Sequence, residues 1–565
     1  MRTRPRLLHH FRSRARPIAT GAATFNRTGR IRSRAQPIPL PKPCPIGHYP
    51  GSVARSPGGD MSAAVQIPVW LLLLLLAASG YAVLTSVFLP GVRWFVRRRL
   101  NRAIERINSS LRIQIRPFQR TRRQVLIDRL SYDSQVIAEI EKHATETGEP
   151  RGLLQRRVRV YAREIVPSFN AYMYYRLGYW LARQISRFIY RVKVAAADIP
   201  SLARIDPQST VVFVMNHRSN MDYLLVTYLA ANQVTLSYAV GEWARVLPLN
   251  LLVKGLGGYF VRRASNDPLY RKVLERYIHM ATREGVCQAV YLEGGLSRDG
   301  HFGKPKLGFL DYTLRGFDAD TDRDIVFIPI GINYDHVLED LNMLAWTDPH
   351  GKRRGAWFHL RNALRFFRHN LFAGSDARFR RNGYASVNFG IPVSARAFTA
   401  ANGGVQFRQL SKEQRFEQVS RLADVLMDAI RHVIPILPVP LIATVFVRNP
   451  QGGLRSIDLI VEVDRLIDTL IEGGAAMREE EKPRNTTLLQ SLQLLQHRGV
   501  LVEDQDRYFA HPDSMPLLQY YANSIAHWLP SAEGTTHDDR RGSAGQAGVE
   551  APEAVERRPA VPQGA

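Results

Sequence analysis

From Val65 to Leu89 the chain reads VQIPVWLLLLLLAASGYAVLTSVFL, twenty-five residues without a charge. Crossing the hydrocarbon core of a bilayer takes about 20 helical residues, so the run predicts one transmembrane helix with some tilt, within 61–92. It is longer than the roughly 7–15 apolar residues of a signal peptide, which predicts an anchor that stays on the protein. Arg93, Arg97, Arg98, Arg99 and Arg102 follow at once. If translation starts at Met61, the other flank is nearly uncharged. The positive-inside rule then puts the rest of the chain on the cytoplasmic side of the cell (inner) membrane. If residues 1–60 are present, both flanks are basic and the rule loses its force. That segment holds twelve Lys and Arg against the single Asp60. It reads as a targeting peptide, a disordered tail or an untranslated extension.

Charge narrows the partners. The chain carries 77 Lys+Arg against 50 Asp+Glu, a net +27, and stays basic without its first sixty residues. Such a balance suits nucleic acid, an anionic membrane surface or a phosphorylated substrate. No nucleic-acid reading module is recognisable, and the apolar anchor argues for the membrane instead. Two cysteines, Cys44 and Cys287, make neither a disulfide framework nor a zinc site.

Residues 93–195 read as a helical, membrane-proximal region with few Gly or Pro breaks. In it Phe169 to Lys193 interleaves Tyr, Trp and Phe with Arg and Lys. That pattern fits a helix on a membrane surface or an ordinary amphipathic helix packed on its neighbour. Over 196–400 short apolar runs alternate with helical stretches. Thr210–Met215, Val234–Val240, Gln288–Leu292, Ile325–Ile332 and Ala385–Phe389 read as buried strands, with a helix over Pro268–Glu284 among them. This alternation predicts an α/β domain. Residues 401–530 read as mostly helical. Their first helix spans 411–435, with Ser411 as N-cap and Glu413 in the first turn. Residues 531–565 read as a disordered tail.

Directly after the run Thr210–Met215 stands Asn216-His217-Arg218-Ser219-Asn220-Met221-Asp222. An Asp five residues after a His at a strand end can accept a hydrogen bond from one imidazole nitrogen. The other nitrogen is then free to take a proton from an alcohol. Such a His-Asp spacing is expected about once by chance in a chain with this many histidines. Three further segments follow in order. Gly257-Gly258-Tyr259-Phe260-Val261-Arg262-Arg263 ends in two arginines. Tyr291-Leu292-Glu293-Gly294-Gly295-Leu296-Ser297-Arg298 leads to Lys304 and Lys306, and Val326-Phe327-Ile328-Pro329-Ile330 is a strand with a proline. Arginines, a small hydroxyl and glycine N–H groups are donors suited to a phosphate.

These four segments, in this order, resemble the ordered blocks of the glycerol-3-phosphate acyltransferase family, which is related to dihydroxyacetone-phosphate acyltransferases. The C-terminal stretch Leu518 to His527 resembles that family's helical C-terminal region. The resemblance implies an α/β acyltransferase domain with a central mixed sheet flanked by helices. It also implies acyl transfer from acyl-CoA or acyl-carrier protein to the sn-1 hydroxyl of glycerol 3-phosphate. The product would be a lysophosphatidate for phospholipid synthesis, released among membrane lipids. His217 would be the base and Asp222 its orienting partner. Arg262, Arg263, Glu293, Gly294, Ser297 and Arg298 would line the acceptor site, and Pro329 would shape it. No metal, cofactor or nucleic acid is implied. One position departs from the pattern: Leu296 stands where the family's third block has its first arginine, and Arg262, Arg263, Lys304 or Lys306 would have to compensate. The alternatives are another acceptor, lysophosphatidate or dihydroxyacetone phosphate, and a non-catalytic membrane scaffold with the same fold.

Overall fold

The apolar runs beyond residue 200 become strands in the computed structural model. It describes residues 68–111, 113–197, 204–231, 233–241, 249–262, 265–347, 382–404, 406–475 and 483–529. The expectations for 1–60 and 531–565 lie outside the described residues. Two compact units divide the chain between Val83 and Leu84. The described part of the first is the helix Val69–Val83, which buries none of its residues. The helical run Val69–Ser86 is long and apolar enough to cross a membrane.

The second unit is built on one mixed sheet. Its strands are β1 (Arg191–Ala197), β2 (Thr210–Met215), β3 (Ser237–Val240), β4 (Tyr259–Phe260), β5 (Gln288–Tyr291), β6 (Ile325–Tyr334), β7 (Tyr384–Phe389) and β8 (Val393–Ser394). Their order is β1-β7-β6-β2-β5-β3-β4, with β8 also paired to β6. From β6 to β4 every pair is parallel. β7 runs antiparallel to β6, and β1 parallel to β7. All ten residues of β6 are buried, as a strand covered on both faces requires.

Side-chain alternation sorts the two faces. Val211, Phe213 and Met215 of β2 join a cluster with Leu225 and Val226 of the helix Asp222–Ala230. The helices Pro438–Arg448 and Met515–Asn523 belong to the same cluster, through Ile442, Phe446, Leu518 and Tyr521. Val212 and Val214 instead face Leu310 and Leu314 of Gly308–Leu314, and Val419, Leu422 and Leu426 of Lys412–Arg431. A third cluster packs Arg123–Ser131, Ser134–Thr147 and Arg151–Ile165 against Pro268–Arg283. The α/β domain with a mixed sheet and flanking helices therefore stands as expected.

Local signals set several ends. Asp267 caps Pro268–Arg283 by accepting from the Leu269 and Tyr270 N–H groups. Ser411 and Gln414 form a reciprocal capping box on Lys412–Arg431. Elsewhere long-range pairing decided. The helical expectation for 93–195 ends at Ile189, because Arg191–Ala197 adds to the sheet edge along Tyr384–Phe389, about 190 residues away. Between 401 and 530 a hairpin, Leu501–Asp504 with Arg507–Ala510, interrupts the helices. Its turn residues Gln505 and Asp506 both take positive φ. The strand expected from Val234 starts pairing at Ser237, since the Gln233 and Val234 N–H groups still bond back to the Ala230 carbonyl.

Candidate active site

The site forms where β2, β5 and β6 end, the usual place for a ligand crevice in a parallel sheet. Asn216 ends β2 and braces it to β6, donating to the Ile332 carbonyl (2.9 Å) and accepting the Ile332 N–H (2.8 Å). His217 comes next, with its backbone held at two points. Its N–H donates to Glu293 Oε1 (3.3 Å), and its carbonyl accepts the Ser297 N–H (2.9 Å).

Its side chain is held as firmly. His217 Nδ1 donates to Asp222 Oδ2 at 2.9 Å, with both residues buried. The same oxygen accepts the backbone N–H groups of Arg218 (2.8 Å) and Ser219 (3.1 Å), because Asp222 opens a helix. Its other oxygen accepts the Tyr334 hydroxyl at 2.6 Å. Burial, and then the Asp222 charge, raise the Tyr334 phenol well above its ordinary pKa, so it stays a donor. Four donors fix the carboxylate and the tautomer, which leaves Nε2 as the acceptor. Tyr291 stacks on the imidazole at 3.8 Å between ring centres and 14° between planes. Tyr223 meets it edge-on at 5.7 Å. A buried imidazole aimed by a carboxylate is equipped to accept a proton from an alcohol.

Tyr223 and Tyr291 also form one wall of a cavity of about 380 Å³. Leu274, Ile278 and Phe309 give it an apolar lining, while Arg262, Arg271 and Lys306 add charge. Such a space suits an amphiphile with an anionic end.

The expected acceptor residues take different roles. Glu293 accepts two backbone N–H groups, from His217 and from Gly303 (2.7 Å). Burial raises its pKa, against the pull of Gly303, Arg218 and His217. Gly294 turns the chain at φ +70°, a conformation that favours glycine. The Ser297 hydroxyl donates to the His301 carbonyl (2.8 Å) and accepts the Gly300 N–H (3.1 Å). Glu293 and Ser297 thus brace the loop that clamps His217, and their polar atoms are already engaged. Arg298 is exposed on that loop. Arg262 lines the cavity, but its guanidinium grips Glu164 through two hydrogen bonds (2.9 and 2.6 Å) and lies near the rings of Tyr161 and Tyr270. Pro329, paired with Val214, lies two residues before the Gly331 that lets the Val433 carbonyl approach the strand. Arg263 lies outside the described residues.

Sequence reasoning missed Tyr334, Glu339 and Glu164. Glu339 accepts from the Ser219 hydroxyl (2.7 Å) and the Asn220 amide (3.1 Å), bracing the loop between His217 and Asp222. Tyr334 ends β6, four residues past the fourth segment, where a residue one strand across from β2 could have been suspected. Glu164 is about 100 residues before Arg262 and gave no local signal.

The loop from Glu293 to Lys306 rests on the C-terminal helix. Asn523 donates to the Asp299 carbonyl (2.8 Å), and Gly300, at φ +89°, leaves no room for a Cβ against the Tyr520 carbonyl. Gly300→Ala is expected to cost about 2–3 kcal/mol from strain and overpacking. The checks are a lower melting temperature of the detergent-solubilised chain and reduced activity, since the loop also clamps His217.

Comparison with known proteins gives a matching pattern. Residues 194–333 match the family described as "Acyltransferase", and residues 369–532 match "Glycerol-3-phosphate acyltransferase C-terminal region". A glycerol-3-phosphate acyltransferase of Aeromonas hydrophila is 27% identical over 414 residues, covering 70% of this chain and 49% of its own length. One from Pseudomonas putida is 28% identical over 431 residues, covering 72% and 49%. The chain thus spans about half the length of these curated relatives. The crystal structure of 1-acyl-sn-glycerophosphate (LPA) acyltransferase, PlsC, from Thermotoga maritima aligns at 18% identity and a TM-score of 0.25. It covers 54% of this chain and 98% of that one, and at that score adds nothing to the fold described above.

Proposed function

We propose that this chain, a relative of the glycerol-3-phosphate acyltransferases with an acyltransferase domain at 194–333, transfers a fatty acyl group from a thioester to the sn-1 hydroxyl of glycerol 3-phosphate. The pair His217–Asp222 carries this reading: a buried imidazole with Nδ1 committed to a carboxylate that four donors hold in place.

In the reaction the acceptor hydroxyl gives its proton to His217 Nε2 as its oxygen attacks the thioester carbonyl. The new C–O bond forms, and the carbonyl π electrons move to oxygen. Collapse of this intermediate restores the carbonyl and breaks the C–S bond. The departing thiolate takes the proton from the imidazolium, so His217 ends as it began. Asp222 stabilises the imidazolium in between, and proton transfer of this kind contributes about 10²–10⁴-fold. Holding both reactants adds several kcal/mol more, on the order of 7 in favourable cases.

The acyl chain is assigned to the cavity beside Tyr291, whose apolar walls match it and whose cationic residues suit the phosphates of CoA or of a carrier protein. His217 is only 1% exposed, so Tyr291 or Tyr223 swings aside when the thioester enters. The apolar helical run supports membrane attachment, where a lysolipid product passes straight into the bilayer.

The test is acyl transfer from palmitoyl-CoA and from a palmitoylated carrier protein by the full chain in detergent. Glycerol 3-phosphate, dihydroxyacetone phosphate and lysophosphatidate are the acceptors. Transfer to glycerol 3-phosphate is expected, and none to any acceptor from either donor would sink the reading in favour of a scaffold. Leu296 favours a second reading, in which another phosphorylated acceptor is preferred. Leu296→Arg is then expected to raise kcat/KM for glycerol 3-phosphate about tenfold, as one added charge-assisted contact would. No gain in that variant would remove Leu296 as a specificity determinant.

A further inference from the structure

Arg218 is a buried cation whose guanidinium touches no counter-charge among the described residues; Glu293 acts on it only at a distance. Arg218 follows His217 directly and is 3% exposed. Among the described residues its guanidinium forms no ion pair and no hydrogen bond, and Nη1 is sealed from solvent without a partner. Other inward-facing arginines are paired: Arg262 with Glu164, Arg276 with Asp133, Arg415 with Asp311 and Arg498 with Asp340. A guanidinium cannot shed its proton, and a buried charge left alone is among the costliest features a fold can carry. Evolution of a stable core alone would replace it with an apolar side chain, so an anion supplied from outside is the natural partner.

The surroundings favour such an anion. Glu293 is within electrostatic reach of Arg218, but both its oxygens are engaged by backbone N–H groups. In the C-terminal segment the Tyr520 hydroxyl is buried and likewise unpartnered. The loop whose Ser297 N–H bonds the His217 carbonyl meets the Tyr520 carbonyl three residues later at Gly300, which brings the two segments together; burial raises the Tyr520 pKa and the charge of Arg218 pulls against it. His527, held low at about 4 by burial, also feels that charge. Neutral at working pH, it adds no second cation. A forked cation and a phenolic O–H are complementary to the several acceptor oxygens of a phosphate monoester.

We propose that Arg218 and the Tyr520 hydroxyl bind the phosphate monoester of the acyl acceptor, supplying the contact that Leu296 cannot make. The site rests on the acyltransferase reading given above and adds its acceptor-binding residues. Because Arg218 is the next residue after His217, a phosphate held there keeps a short polyol chain within reach of the imidazole. The cavity beside Tyr291 is then left to the acyl donor. The C-terminal region thereby contributes directly to acceptor choice, through Tyr520.

The experiment uses the full chain in detergent. It measures melting temperature with and without glycerol 3-phosphate, dihydroxyacetone phosphate or lysophosphatidate, and initial rates against acceptor and donor. In the wild type each phosphate ester that is a substrate raises the melting temperature. In Arg218→Met that rise is lost, the ligand-free melting temperature is equal or higher, and acceptor KM rises at least about 100-fold. The donor KM moves by less than about threefold, no more than the weaker end of a single hydrogen bond's contribution. Tyr520→Phe, which changes one atom, raises acceptor KM about tenfold and decides the matter if Arg218→Met does not fold. An unchanged acceptor KM in a wild-type-like background overturns the site while leaving the reaction intact. So does a rise in donor KM instead, which would assign Arg218 to the donor's phosphates. A wild type that neither binds nor acylates any of the three esters overturns the acyltransferase reading itself.

Discussion

His217→Gln is expected to lower kcat for acyl transfer by about 10³-fold, within the range general-base removal typically costs. Glutamine is the informative replacement because its amide can still donate to Asp222, as Nδ1 does at 2.9 Å. It has no basic nitrogen to face the alcohol. The backbone clamps on this residue, from Glu293 and Ser297, do not depend on the side chain. The fold should therefore persist, with a melting temperature within a few degrees of wild type. Steady-state rates with both donors, set beside that melting temperature, separate lost chemistry from lost structure. Transfer retained within tenfold would show that another group takes the proton.

Asp222→Asn should cost nearly as much, about 10²–10³-fold in kcat, for a different reason. The carboxylate accepts four hydrogen bonds: three on Oδ2, from His217, Arg218 and Ser219, and one on Oδ1, from Tyr334. Asparagine can keep its oxygen on the first three donors while its nitrogen turns to Tyr334, whose hydroxyl can also accept. Geometry then survives at a cost of about 1–3 kcal/mol, typical for a buried polar exchange. What disappears is the negative charge that stabilises the imidazolium after proton transfer, in a site where water does not screen it. Rates measured against acceptor concentration should show the loss in kcat, with acceptor KM changed little. A rise in acceptor KM at constant kcat would mean that Asp222 holds the acceptor rather than the base.

Both variants target a pair whose geometry is legible in the chain itself. A buried, mostly apolar strand, Thr210–Met215, ends two residues before His217, and the helix that begins at Asp222 returns the carboxylate within one turn. Both partners are local, so five residues of sequence define their geometry. The same holds for the caps at Asp267 and Ser411 and for the apolar run Val69–Ser86, whose meaning depends on length and composition.

Features joined across the chain were not legible in this way. Arg262 looked like a phosphate ligand because two arginines end its segment, yet Glu164, on a helix 98 residues earlier, takes its guanidinium. Glu293 and Ser297 looked like acceptor ligands because they share a block with glycines and Arg298, but their polar atoms close the loop that clamps His217. The stretch from Arg191 to Ala195 read as helix until β7 supplied its partner. By itself the sequence determined the apolar helical run, the strand–helix alternation and the His217–Asp222 pair, because periodicity, capping and short spacing act within a few residues. Only the tertiary structure decided which charges are already neutralised and which, like Arg218, are buried unpaired, because electrostatic pairing depends on distances that chain order does not encode.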